Sequence, residues 1–179
     1  LAIYYKMTGD EIWNKTGRRL VDALDGAAIK TGNMAFFPRL NLDPGEKLAP
    51  DQIQQEIADM KNLAGSKRER DTALCQGWII TGLVQFYQVS HYEPALELAR
   101  GLTNFLHASK ILEEWRSENF HSITLGIQAM LEVALATGDR ELAEHARQIY
   151  EAAKSNKGIH AAIPSIGYFV HSSGFGGME

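Results

Sequence analysis

The chain has 179 residues, 45% of them hydrophobic, and a formal charge of −4, so it is long enough to bury one sizeable core and offers no electrostatic attraction to nucleic acid. Its single cysteine, Cys75, excludes an intrachain disulfide and any zinc site built from several cysteines of these residues. No apolar run approaches the ~20 residues that span a bilayer, so neither a membrane nor a nucleic acid is an expected partner.

Residues 1–7 read as the end of a helix closed by Thr8-Gly9, with Asp10 placed to cap a second helix. That helix is expected to reach about Ile29, with Ile12, Thr16, Leu20 and Leu24 recurring at four-residue spacing on one face, and to end at Thr31-Gly32-Asn33. A loop then runs to Ala49, since Pro38 and Pro44-Gly45 forbid regular structure while Phe36, Phe37 and Leu40 supply apolar anchors. Pro50 suits the first turn of a short helix carrying Ile53, Ile57 and Met60.

The charged run SKRERD reads as a connector, with Asp71 or Thr72 capping a long helix to Val89. Ile79, Leu83, Phe86 and Tyr87 form its stripe, and Gly77 and Gly82 allow a neighbouring backbone to approach. Glu93-Pro94 opens a helix to about Ala108, and a mixed connection, residues 110–120, leads to a helix over 121–136 with Ile123, Ile127, Met130, Leu131 and Ala134 buried and Gly126 at a close contact. Asp139 caps the last helix, which ends near Ser155, and a Gly-rich loop with a short extended piece at 168–170 closes the chain.

The pattern repeats. Aligned on Thr8, Ser90 and Thr137, the stretches 1–24, 83–106 and 130–153 also superimpose Arg18, Arg100 and Arg147, then Leu20, Leu102 and Ile149. Each copy is helix, tight turn, helix, so stacked helical hairpins are expected. The helices from Thr72 and His121 carry almost no charge and are expected to be inner, with the charged helices from Asp10, Tyr92 and Asp139 outside. Short turns then share one rim, too small to enclose a ligand. The long connections 31–49, 110–120 and 156–179 share the other, which is where function is expected.

Alternating helices at this spacing resemble the six-hairpin α/α toroid of glycosidases. GWIITGLVQFYQVS, NFHSITLGIQAMLEVALATGD and the terminal GFGGME are similar to the β-L-arabinofuranosidase-like group of glycoside hydrolases and its uncharacterised relatives. The resemblance implies an all-α fold, residues 1–179 forming a single domain that is part of an (α/α)6 toroid, with both ends cut. It implies a carbohydrate-active protein, a glycoside hydrolase acting on a plant or microbial glycan, and a saccharide as substrate. In that group the Glu that follows the Gly-rich segment and cysteines beyond it hold zinc, and a cysteine is the nucleophile. Only Glu179 has a counterpart here, so no cofactor is expected within this chain, and zinc is expected only in a longer protein with cysteines after Glu179. Half a toroid leaves the pocket open on one side, so these residues alone are expected to be inactive.

The catalytic candidates are Glu179, His121 and Asp71. An imidazole at a helix start on the long-loop rim can bond a sugar hydroxyl or carry a proton, although a helix-end hydrogen bond accounts for it equally. Asp71 suits an acid or base if burial raises its pKa, against a plain cap. Phe37, Trp78, Tyr168 and Phe169 offer flat apolar faces for sugar rings, against core packing. The spacing of His121, His160 and His171 fits no metal motif, so no metal ligand is assigned. Two other functions remain open on the residues alone. ALELARGLTNFL and ELAEHARQIYEAA resemble the helices of tetratricopeptide interaction modules, whose period is about 34 residues, and a sugar epimerase or lyase would use the same toroid. The turns here lie 82 and 47 residues apart (8 to 90, 90 to 137), which favours the toroid. Oligomeric state and localisation are not legible.

Overall fold

The computed structural model describes residues 1–37, 49–61, 67–109, 112, 120–155, 162–163 and 168–169, with backbone alone at 53, 56–57, 59–61, 67–75, 109, 120–122, 153–155 and the last two strands. Seven helices lie among these residues: α1 (Ala2–Thr8), α2 (Glu11–Ala27), α3 (Pro50–Lys61), α4 (Lys67–Ser90), α5 (Glu93–Ser109), α6 (Phe120–Thr137) and α7 (Arg140–Ser155). Two antiparallel strand pairs join them, β1 (Ile29–Thr31) with β2 (Met34–Phe36) and β3 (Ala162–Ile163) with β4 (Tyr168–Phe169). No described helix is long and apolar enough to cross a membrane.

The repeat is real at atomic level. Thr8, Ser90 and Thr137 each donate their hydroxyl to the carbonyl four residues back, at 2.7, 2.7 and 2.8 Å. The next residue is left-handed in every copy: Gly9 at φ 66°, His91 at 51° and Gly138 at 73°. Glycine takes that conformation without steric cost, whereas His91 does not. The residue after it opens the returning helix, and Asp10 and Asp139 cap theirs by accepting from the Ile12 and Leu142 amides at 2.9 Å each.

Three hairpins therefore stand side by side. α4 and α6 make the most extensive helix contact in the molecule, α1 packs on the other side of α4, and α2, α5 and α7 stand behind their partners. The α4–α6 contact is close because it is made at glycines. A Cβ added to Gly77 would lie 3.1 Å from the Leu125 carbonyl and 3.3 Å from the Gly126 amide nitrogen. Around this seam Ile80, Leu83, Val84, Ile123, Ile127 and Met130 are buried, continuous with Ala95, Leu98, Ala99 and Leu102 of α5.

Several expectations are corrected. α4 begins at Lys67, not at Thr72, because Lys, Arg and Glu are good helix formers and nothing in KRERD interrupts the helix. Asp71 is therefore internal to α4 and not its cap. α2 stops at Ala27, and the segment after it turns at Gly32 (φ 58°) into the β1–β2 hairpin. That hairpin lies against α5, with Phe36 stacked on Phe105 at 5.0 Å and the Asn104 amide donating to the Asn33 carbonyl at 2.8 Å. The first part of the long 31–49 connection thus covers the back of an outer helix. α2 is also rotated from its expected face: it buries Asn14, Gly17 and Val21 and leaves Ile12 and Leu20 exposed. The cause is the Phe86 ring, whose edge occupies the place of a Gly17 side chain. Gly82 meets no neighbour, and Leu131 is exposed.

Candidate functional site

Neither low-charge helix is buried all round. Trp78, Gly82 and Gln85 form an open strip on α4, and Gln128, Leu131 and Leu135 form one on α6. α4 and α6 are the first helices of equivalent hairpins, and α5 residues Arg100 and Asn104 meet the α6–α7 turn as Arg18 and Asp22 of α2 meet Tyr92 at the α4–α5 turn, so α4 and α6 run the same way. Measured from the Gly77 contact, Trp78 and Gln85 lie roughly a quarter-turn round α4, and Gln128 lies about as far round α6 in the opposite sense, at about 100° per residue. The two strips therefore share one side of the pair, here called the front.

Helical register puts backbone positions 71 and 121 on this front side. Position 71 precedes Trp78 by seven residues, close to two turns, and position 121 precedes Gln128 by the same interval. The Gly77–Gly126 contact also sets their heights: position 121 stands level with positions 72 and 73 of α4. Packed helix axes lie ~8–10 Å apart, which sets the backbone spacing of positions 71 and 121. The side chains of Asp71, Cys75 and His121 lie outside the described residues, as does Glu179 altogether.

The aromatic candidates separate. Trp78 is 55% exposed, an open ring on the front, at the wall of an apolar groove of about 350 Å³ that α1 and α2 complete through Leu1, Leu20 and Leu24. Phe37 is 5% exposed and belongs to the main core, drawn there by the β1–β2 hairpin, so its ring presents no face to a ligand. Tyr168 pairs with Ile163 and Phe169 with Ala162 across β3–β4, which sits near α7.

Two groups escaped the sequence reading. Glu132 is the sole carboxylate of α6 and lies on its front side; Gln128 donates to its Oε1 at 2.9 Å, while Oε2 is buried with no partner. One acid in an otherwise uncharged helix was a legible signal. Gln76, 1% exposed, has neither amide atom bonded. Unpaired buried polar groups cost stability, so both mark places where packing alone does not account for the residue.

The clearest electrostatic perturbations lie on the helix surfaces and short turns. The Arg147 guanidinium, helped by Gln148, holds the Glu144 carboxyl down at about 2. The hydrogen bond from Tyr92 to Asp22 raises that phenol, and Glu11 raises Tyr5 in the same way. The short-turn rim is more than a row of turns, however. A cleft of about 240 Å³ opens there between α5 and the α6–α7 turn, with Arg100 and Asp139 in its walls.

Among the described residues no three His, Cys, Asp or Glu side chains come together as metal ligands. The zinc implied by the family resemblance needs several thiolates, and one cysteine does not supply that donor set. Residues 1–162 match the family described as Beta-L-arabinofuranosidase, GH127 catalytic domain. No curated protein and no solved structure matches the chain.

Proposed function

Because the chain belongs to the β-L-arabinofuranosidase GH127 catalytic-domain family of glycoside hydrolases, we propose that it is part of an enzyme cleaving a plant or microbial glycan, with the saccharide bound across the front of α4 and α6. The observation that supports this is the common level and common side of positions 71 and 121. Asp71 serves as acid or base toward the glycosidic oxygen, and His121 bonds a sugar hydroxyl or relays the proton. Trp78, about two turns further along α4 (~10 Å at 1.5 Å per residue), gives a neighbouring ring its apolar platform. From the Gly-rich end, Tyr168 and Phe169 are the proposed sugar-stacking rings and Glu179 the proposed further catalytic carboxyl.

Glu132 is not the second carboxyl of this pair. It stands some 12 residues along α6 from the level of position 71, ~18 Å of helix rise, against the roughly 5–10 Å that separates two carboxyls acting on one bond. Its role is to order the front through Gln128.

The test uses the full-length protein and an aryl β-L-arabinofuranoside. His121→Ala and Asp71→Asn should each lower kcat/KM by about 10²–10⁴, the usual worth of a positioned acid or base, with melting temperature unchanged. Glu141→Ala, exposed on α7, is the control. Unchanged turnover in both variants would remove the site from the front of α4 and α6, and release of an isomerised or unsaturated sugar would favour an epimerase or lyase.

A further inference from the structure

The hairpins are copies, so every contact at the first junction has a counterpart at the second. At the first junction the Phe86 and Tyr92 rings meet edge to face at 6.5 Å. The Arg18 guanidinium lies 4.7 Å over the Tyr92 ring, and the Tyr92 hydroxyl donates to Asp22 Oδ1 at 2.6 Å. In the register of the three turns, Arg18 and Asp22 correspond to Arg100 and Asn104, and Phe86 and Tyr92 to Val133 and Asp139. The cation and the oxygen acceptor are kept, while both rings are gone.

The space they leave is the cleft of about 240 Å³ on the short-turn rim, whose walls include Arg100, Asn104, Val133 and Asp139, the counterparts of the four residues in contact at the filled junction. Its remaining walls are Thr103, Thr137 and Leu142. Most of these groups are already held in place. The Thr103 and Thr137 hydroxyls donate to Ala99 and Val133 carbonyls at 2.8 Å each, Asp139 accepts from Leu142, and the Asn104 amide nitrogen is committed to Asn33. Among the described residues the side-chain carbonyl oxygen of Asn104 accepts no hydrogen bond, and Asn104 holds the place in the register that Asp22 holds for Tyr92. Arg100 and Asp139 form no ion pair with each other among the described residues, and their opposite charges favour a neutral occupant.

We propose that this cleft binds a small neutral phenolic molecule, whose ring lies under the Arg100 guanidinium and whose hydroxyl donates to Asn104 Oδ1. The molecule supplies from solution what Tyr92 supplies within the chain one junction earlier. Cations attract aromatic faces within ~6 Å of the centroid, and a cavity of ~150 Å³ is already large enough for benzene. The site lies on the rim opposite positions 71 and 121, so it stands or falls separately from the saccharide site.

The probe is p-cresol, the tyrosine side chain itself, titrated into the full chain and followed by amide chemical shifts. Saturable shifts at Asn104, Thr137 and Leu142 at millimolar concentration are expected, weakened three- to tenfold by Arg100→Ala. Val133→Phe restores the first of the missing rings and should abolish the shifts; if that variant does not fold, Asn104→Ala should weaken binding at least threefold instead. Shifts that do not saturate, or that persist undiminished in these variants, would show a solvent-filled cleft and overturn the proposal. Equal or tighter binding of benzoate or L-arabinose would overturn the phenolic assignment.

Discussion

Leu83 and Leu135 are the same residue on two apolar helices, and the structure gives them opposite fates. Leu83 is 3% exposed in the α4–α5 core, whereas Leu135 is 79% exposed on the open strip of α6. Full burial of a leucine contributes about 1.5–3 kcal/mol, and an unfilled cavity adds to the loss, so Leu83→Ala should cost ~2.5–4 kcal/mol. Leu135→Ala forfeits about a fifth of the transfer term, roughly 0.3–0.6 kcal/mol, and leaves no cavity. Alanine's slightly better helix propensity offsets part of even that. Urea unfolding of both variants at a common m-value measures the difference directly. Equal midpoint shifts would mean that the α6 strip is covered, and the front of the molecule would have to be drawn elsewhere.

The three turns predict a second contrast: Gly138→Ala should lose about 1–2 kcal/mol to left-handed strain, while His91→Gly, at φ 51°, should be neutral or stabilising in thermal melts. Loss in both would show that the His91 ring contact with Tyr87 outweighs backbone strain. The Tyr92 phenol is raised by its bond to Asp22. A raised folded pKa contributes stability that is complete below the unfolded value near 10 and lost as pH climbs through the folded one. Absorbance titration near 295 nm should find two late-ionising tyrosines, Tyr5 and Tyr92, of which Asp22→Ala moves only Tyr92 to lower pH; an unmoved curve would deny the hydrogen bond its part.

Local chemistry was written plainly along the chain. The Thr-Gly-Asp turns, the Asp10 and Asp139 caps, Pro50 at a helix start and the three-fold repeat rest on interactions within a few residues, and they stand in the structure as the sequence states them. The family likeness was legible for a related reason, since helix spacing and turn chemistry travel together along the chain. What the sequence could not state was which face of an amphipathic helix finds a partner. Ile12 and Leu20 look like core and are exposed, because the Phe86 ring claims Gly17 and rotates α2. α6 is the most apolar helix, yet Leu131 and Leu135 are open, while α5, with an ordinary charged face, is closed over by a β-hairpin. Phe37 left the candidate site for the same reason. Burial depends on what packs from elsewhere in the chain, as the Phe86 ring does on Gly17 and the β1–β2 hairpin on α5. The cleft beside Arg100 is the extreme case: each of its residues is ordinary in sequence, and only the packing of Phe86, Tyr92, Arg18 and Asp22 at the first junction shows what the second one lacks.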